Sequence, residues 1–293
     1  MEISRRWALR RMGRGAAAAA VAIGWGPAAA AAAEARPKLS VQVTEKGSSS
    51  LLQLRRARKA VPVADCGAAR RKVAAVLDDV SIYRKLPEVL CQTHPRTLEF
   101  FLDHPDVAVA LWRAMGVSQM TLSDAGGGAY AADGGDGSRG RVETALSRQG
   151  ERVVYCTGQF VNPVAKKPIT ADCVIHFRNR YERGRGGGTF SRHSATMFVR
   201  LPSKAVEATA RVISPVSNRI ADRNFEEVSL FVRMMSEAMR HKPGWCEQVG
   251  RGLDGVTAEK IDAFLTTSAQ VRADVLRSEG KRPQMAGDPA SRS

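Results

Sequence analysis

The residues best suited to chemistry sit on one short segment. Asp172 and His176 lie four apart in Ile169–Arg183, a stretch that alternates apolar and polar side chains. In a strand that spacing puts both on one face. Tyr155, Thr196 and Arg200 reach the same face from neighbouring segments when each link is taken as a symmetric hairpin. A carboxylate that orients an imidazole is an arrangement general-base catalysis uses. Asp172, His176 and Tyr155 are therefore the candidate catalytic set for a hydrolase-like reaction. An ordinary solvated sheet face accounts for the same side chains with fewer assumptions, so the balance leans away from an enzyme.

Other chemistries find less support. The five cysteines, at 66, 91, 156, 173 and 246, contain no C-x-x-C pair and no Cys/His spacing of the zinc type, so no metal is expected. Gly135 to Val142 reads G-x-G-x-x-G-x-V. A dinucleotide fold needs that loop to open a helix, and here a strand follows, so no cofactor is expected and the glycines read as a hairpin. Asp133 and Asp136 in the same loop do not have EF-hand spacing. The formal net charge of +16 favours anionic partners. The basic residues are scattered, however, and no nucleic-acid motif is present.

The elements that must hold these residues follow from periodicity. Lys38–Lys46 reads as a strand, Leu51–Ala64 as basic and irregular, and Ala68–Val80 as a helix. Thr97–Met115 is helical, with an interruption at Pro105. From Val117 to Leu201 the period becomes two, with strands over Arg141–Arg148, Arg152–Val161, Ile169–Arg183 and His193–Leu201. Symmetric hairpins set Leu146 opposite Val154, Phe160 opposite Ile169, Val154 opposite Ile175, and Ile175 opposite Met197. Closing the Asn162–Lys167 link with Val161 against Pro168 sets Cys156 opposite Cys173, within reach of a possible disulfide. Pro215 is expected to end a short helix. Asp222 is expected to cap the next one, which runs to about His241 with Val228, Phe231, Met235 and Met239 on its apolar stripe. Thr257 caps a last helix. The expected fold class is α+β, with an antiparallel β meander packed against a long C-terminal amphipathic helix. The expected divisions are 36–66 as linker or strand, 67–250 as the α+β domain, 251–278 as a C-terminal helix and 279–293 as a disordered tail.

That order of elements, over Lys38 to His241, is similar to the START-like (helix-grip) superfamily. The resemblance implies a sheet that grips a long C-terminal helix around an apolar cavity, with lipids and other apolar molecules as ligands and no universal catalytic residues. On this reading Cys173, Ile175, Met197, Val199, Phe231 and Met235 line the cavity. Pro215 and the helical sequence after Trp245 depart from the family pattern.

Residues 1–35 combine five arginines near the start, an apolar run from Ala16 to Trp25 and a small-residue exit at Ala28–Ala35. This is the pattern of a cleaved export signal. Ser4 to Arg10 resembles the twin-arginine signal, with Ala8 where the family prefers Phe and Arg10 where it has Lys. The expected location is periplasmic or otherwise extracytoplasmic. Three functions are in view. The first is binding of a lipid or apolar small molecule. The second is a non-enzymatic interaction with an anionic envelope surface. The third is the His176-centred enzyme.

Overall fold

The computed structural model describes residues 40–161, 168–184 and 188–280. The segments 1–35, Asn162–Lys167 and 281–293, on which the expected export signal, one hairpin link and most of the expected tail fall, lie outside the described residues.

The first half of the chain runs through β1 (Gln42–Glu45), α1 (Leu51–Ala60), α2 (Arg70–Asp78), β2 (Ile82–Lys85), β3 (Glu88–Gln92), α3 (Pro95–Asp103) and α4 (Pro105–Ala114). Strands β4 (Thr121–Asp124), β5 (Ala129–Asp133), β6 (Arg139–Arg148), β7 (Glu151–Val161), β8 (Pro168–Arg183) and β9 (Thr189–Arg200) follow. The chain then turns helical through α5 (Lys204–His241), α6 (Pro243–Arg251) and α7 (Ala258–Gly280). Nine strands form one antiparallel sheet in the order β1-β3-β9-β8-β7-β6-β5-β4, with β2 also pairing β9. The fold is α+β, and the C-terminal helices lie against the sheet.

The meander forms because four successive segments alternate with the same parity. Phe160 faces Ile169, Val154 faces Ile175 and Cys156 faces Cys173 across β7 and β8, and Ile175 faces Met197 across β8 and β9. One expected pair is displaced. Val154 faces Thr144, and Leu146 faces Val153 instead, because the β6–β7 register shifts between Thr144 and Leu146. A single inserted residue turns every later side chain over. Leu146 therefore leaves the face of Val142 and joins the cluster around Val153 and Phe198.

Other differences have simple physical causes. β2 to β5 have only four or five residues each, too few to establish a period. β2 and β3 run end to end along β9. Lys85 faces Thr196 and Val89 faces His193, so Leu86 and Pro87 absorb a one-residue slip. Leu51–Ala60 is helical although it buries no side chain, because Leu, Gln, Arg, Lys and Ala are all strong helix formers. Pro215 does not divide α5, which runs unbroken for 38 residues. Proline removes one backbone hydrogen bond. The second half of α5 carries Phe231, Val232, Met235 and Met239 into the core, and tertiary packing of this kind overrides local propensity. Pro95, Pro105 and Pro243 each open a helix, at the position where the missing N–H costs nothing. Thr257 caps α7 as expected, its Oγ1 accepting from Lys260 N at 3.4 Å.

Both faces of the sheet are covered. On one, α1 and α2 bring Val61, Val73, Val76 and Leu77 against Val153, Tyr155, Val174 and Phe198. On the other, α3 to α7 form the larger core, with Phe101 and Trp112 each 5.3 Å from the Phe231 ring. Polar ties fix the helices in place. Arg84 of β2 holds Asp222 in the middle of α5, and Lys260 of α7 reaches Asp106 and Asp124 at 2.6 Å each.

Candidate functional site

The face that carries His176 is buried, not solvated. His176 is 3% exposed and Tyr155 8%, because α2 and the turns before it lie over them. Asp172 and His176 share the face but stand roughly 13 Å apart along an extended strand, at about 3.3 Å per residue. They have different partners. Tyr155 donates its hydroxyl proton to Asp172 Oδ1 at 2.9 Å, and Arg200, directly opposite on β9, closes an ion pair with the same carboxylate. Burial acts to raise the Asp172 pKa, but hydrogen bonds from Arg200, Thr157 and Tyr155 outweigh it and hold the carboxyl below its ordinary range. Burial and the Asp172 charge push the Tyr155 phenol up to about 12, so it stays a neutral donor. The carboxylate that meets His176 is Glu151, 2.7 Å from Nε2, and Glu151 also pairs with Arg148. Burial lowers the His176 pKa against the pull of Glu151. The expected constellation thus does not gather: Tyr155, Asp172 and Arg200 form one group, and His176 meets Glu151 and Arg148 in another.

The opposite face holds a partly open apolar space of about 160 Å³. α3 and α4 contribute Phe101, Ala108 and Trp112; the sheet contributes Val142, Phe177 and His193; α5 contributes Phe225, Val228 and Phe231. Of the six residues expected to line a cavity, Phe231 does. Met235 is fully buried in the neighbouring helical core. Cys173, Ile175 and Val199 make a separate cluster further along the same sheet face, beside half-buried Met197.

At one end of the space stands His193, 4% exposed. Its Nδ1 is 3.0 Å from Ser191 Oγ and its Nε2 is 2.8 Å from Ser229 Oγ. Ser229 gives its own proton to the Phe225 carbonyl at 2.7 Å. Ser229 Oγ must therefore accept from Nε2–H, and Nδ1 accepts from Ser191. The neutral tautomer satisfies both ring nitrogens. Burial pulls the His193 pKa down to about 4, with Glu88 opposing. Sequence reasoning gave company only to His176 and passed over His193. The available signal was its parity: His193 alternates with Ala195, Met197 and Val199, a single imidazole on an apolar face.

Beside the cavity, β7 supplies Arg152, which is 6% exposed. Glu99 and Asp103 of α3 each accept from its Nη2 at 3.0 Å, and Tyr181 donates to Glu99 Oε1 at 2.9 Å. These bonds seat α3 on the sheet and so set one wall of the space.

The glycine-rich motif serves the β5–β6 hairpin. Gly135 and Gly137 adopt positive φ in the turn. Gly140 lies across from Gly158, where a Cβ would come within 2.7 Å of the Thr157 carbonyl oxygen. Close approach of two strands, not phosphate binding, explains that glycine. Among the described residues no three His, Cys, Asp or Glu side chains gather as a metal centre would require. Among them, too, no helix is long and apolar enough to cross a membrane.

No known protein-family model matches the chain, and no curated protein matches it in sequence.

Proposed function

We propose that this is an exported protein that binds a small apolar ligand, or the end of a longer apolar chain, between its sheet and helix α5. The observation that carries the reading is the apolar space of about 160 Å³ under Phe177, Trp112 and Phe231. An engineered apolar cavity of roughly 150 Å³ in another protein stays dry and takes up benzene. The space here accepts a group of one-ring size. Because His193 and Ser229 already satisfy each other, the walls ask for no polar group from the ligand. The element order supports a helix-grip-like reading, since a meander and one long C-terminal helix flank the space. Residues 1–35 support export, through their basic start, short apolar run and small-residue exit.

The test is thermal melting and calorimetry with benzene, indole and short alkylbenzenes. Binding is expected to raise the melting temperature of the wild-type protein. Ala108→Leu places a side chain in the space and should abolish the shift while leaving the protein folded. If no apolar compound stabilises the wild type, or if Ala108→Leu binds as well as wild type, the reading fails. Native mass spectrometry of protein purified from its own envelope then identifies the resident ligand.

A further inference from the structure

Helix α1 divides along its length. At about 100° per residue, Leu54 and Ala57 turn inward against the α2 cluster. Leu51, Leu52, Arg55, Arg56 and Lys59 share the outward arc and are all exposed. Leu51 is 76% exposed and Leu52 62%, the two most exposed large apolar side chains among the described residues. Among the described residues Arg55, Arg56 and Lys59 make no ion pair, whereas Arg58, at the edge of the arc, meets Asp78 at 3.3 Å. The helix contains no acidic residue.

This pattern is unusual for a surface that meets only water. Two adjacent bare leucines forgo the gain of burial, and three neighbouring cations repel one another with no acid to offset them. Both conditions reverse against a bilayer of negative charge. Leucines at the start of the helix enter the acyl boundary, while the arginines and lysine meet lipid phosphates one turn and two turns further on. Inward-facing Leu54 and Ala57 hold the helix against the body, so the outer face is presented without first having to fold.

We propose that the outward face of α1 docks the protein onto an anionic lipid surface, with Leu51 and Leu52 inserted and Arg55, Arg56 and Lys59 at the headgroups. Net charge alone would draw any part of this basic protein to such a surface. The continuity of leucines with unpaired cations on one arc assigns the contact to this helix. The proposal is independent of the cavity on the other side of the sheet.

Co-sedimentation with vesicles tests it, using the full chain and phosphatidylcholine with or without about one-third phosphatidylglycerol. Wild type should bind the anionic vesicles and leave the neutral ones. Each cation near an anionic surface contributes roughly fivefold in partitioning. Arg55→Gln/Arg56→Gln/Lys59→Gln should thus weaken binding on the order of a hundredfold. Leu51→Ser/Leu52→Ser should bind at low salt but detach as the Debye length shortens below about 8 Å, where wild type remains. A control variant, Arg113→Gln/Arg141→Gln/Arg178→Gln, removes three exposed cations elsewhere and should lose far less. Melting temperatures within a few degrees of wild type establish that all variants are folded. Equal loss in the control, an unchanged leucine variant, or no preference of wild type for anionic vesicles would each overturn the proposal. So would a dimer in solution that the leucine variant dissociates, since a second copy would then own the face.

Discussion

Cys156 on β7 lies directly across from Cys173 on β8, and both thiols are buried and free. Directly opposed residues in antiparallel strands are roughly 4.5–5.5 Å apart at Cα, within bridging range. The pair is therefore in reach of a bond it does not make. Burial pushes the Cys156 thiol up to about 12 and Cys173 well above its ordinary range, so neither offers the thiolate that attack requires. We expect native protein to resist thiol-specific reagents at both positions and to react fully once unfolded. Peptide mapping without reduction should recover both as thiols. Recovery of a 156–173 crosslinked peptide would show instead that the oxidised pair is the resting form.

His193 makes stability depend on pH in a stated direction. Its folded pKa, about 4, lies below the roughly 6.5 of an unfolded histidine. The unfolded chain binds the extra proton first, so the stabilisation is complete above about 6.5 and is lost as pH falls towards 4. The difference amounts to on the order of 3 kcal/mol. His193→Gln retains a donor for Ser229 and does not titrate. Melting curves from pH 7.5 to 4 should fall more shallowly for this variant than for wild type. Parallel slopes would assign the acid sensitivity to other groups, His176 and His94 among them, whose pKa values burial also lowers.

Lys260 is the tie whose loss should cost most. It is flanked by Asp106, 3% exposed, and the more exposed Asp124. Lys260→Met leaves the Asp106 charge buried without its cation, at a cost of about 3–5 kcal/mol. Replacing both, Lys260→Met/Asp106→Leu, should recover most of that, because no buried charge remains. Urea unfolding of the two variants measures it. A double variant no more stable than the single one would show that the bridge is worth more than its desolvation.

Much of this architecture was legible in the sequence where alternation or helical spacing ran for ten or more residues. β7, β8 and β9 are long enough for parity to fix register, and Cys156 against Cys173 follows from counting outward from one link. The stripe of Phe231, Met235 and Met239 likewise marked α5. What escaped was short, or depended on contacts distant in sequence. The bulge before Leu146 leaves no mark in composition. β2 and β3 find their register only against β9. The exposure of the His176 face could not be judged without α2, which alternation on β8 does not reveal. Glu151 sits at the start of β7, beyond the span where a partner for His176 was sought. Cys173, Ile175 and Val199 share a sheet face with the apolar space but cluster elsewhere along it, because periodicity reports facing and not position along a sheet.

The pairing of β2 and β3 with β9 also sets an order of events in folding. From Val89 to its partner His193 the chain must close a loop of more than a hundred residues, whereas β7, β8 and β9 meet through short links. Loop-closure entropy grows with that separation, and non-local pairing is slow. The β6–β9 meander can therefore assemble as a local unit while β9 still offers an open edge. During synthesis that edge cannot even exist until Arg200 has emerged, long after β3. For that interval the segment from Ile82 to Gln92 has only β1 and Ser48 to pair with, and the last strand made receives the second and third. A chain built this way cannot complete its sheet before Arg200 of its 293 residues is present, and among the described elements only the helices α5 to α7 follow.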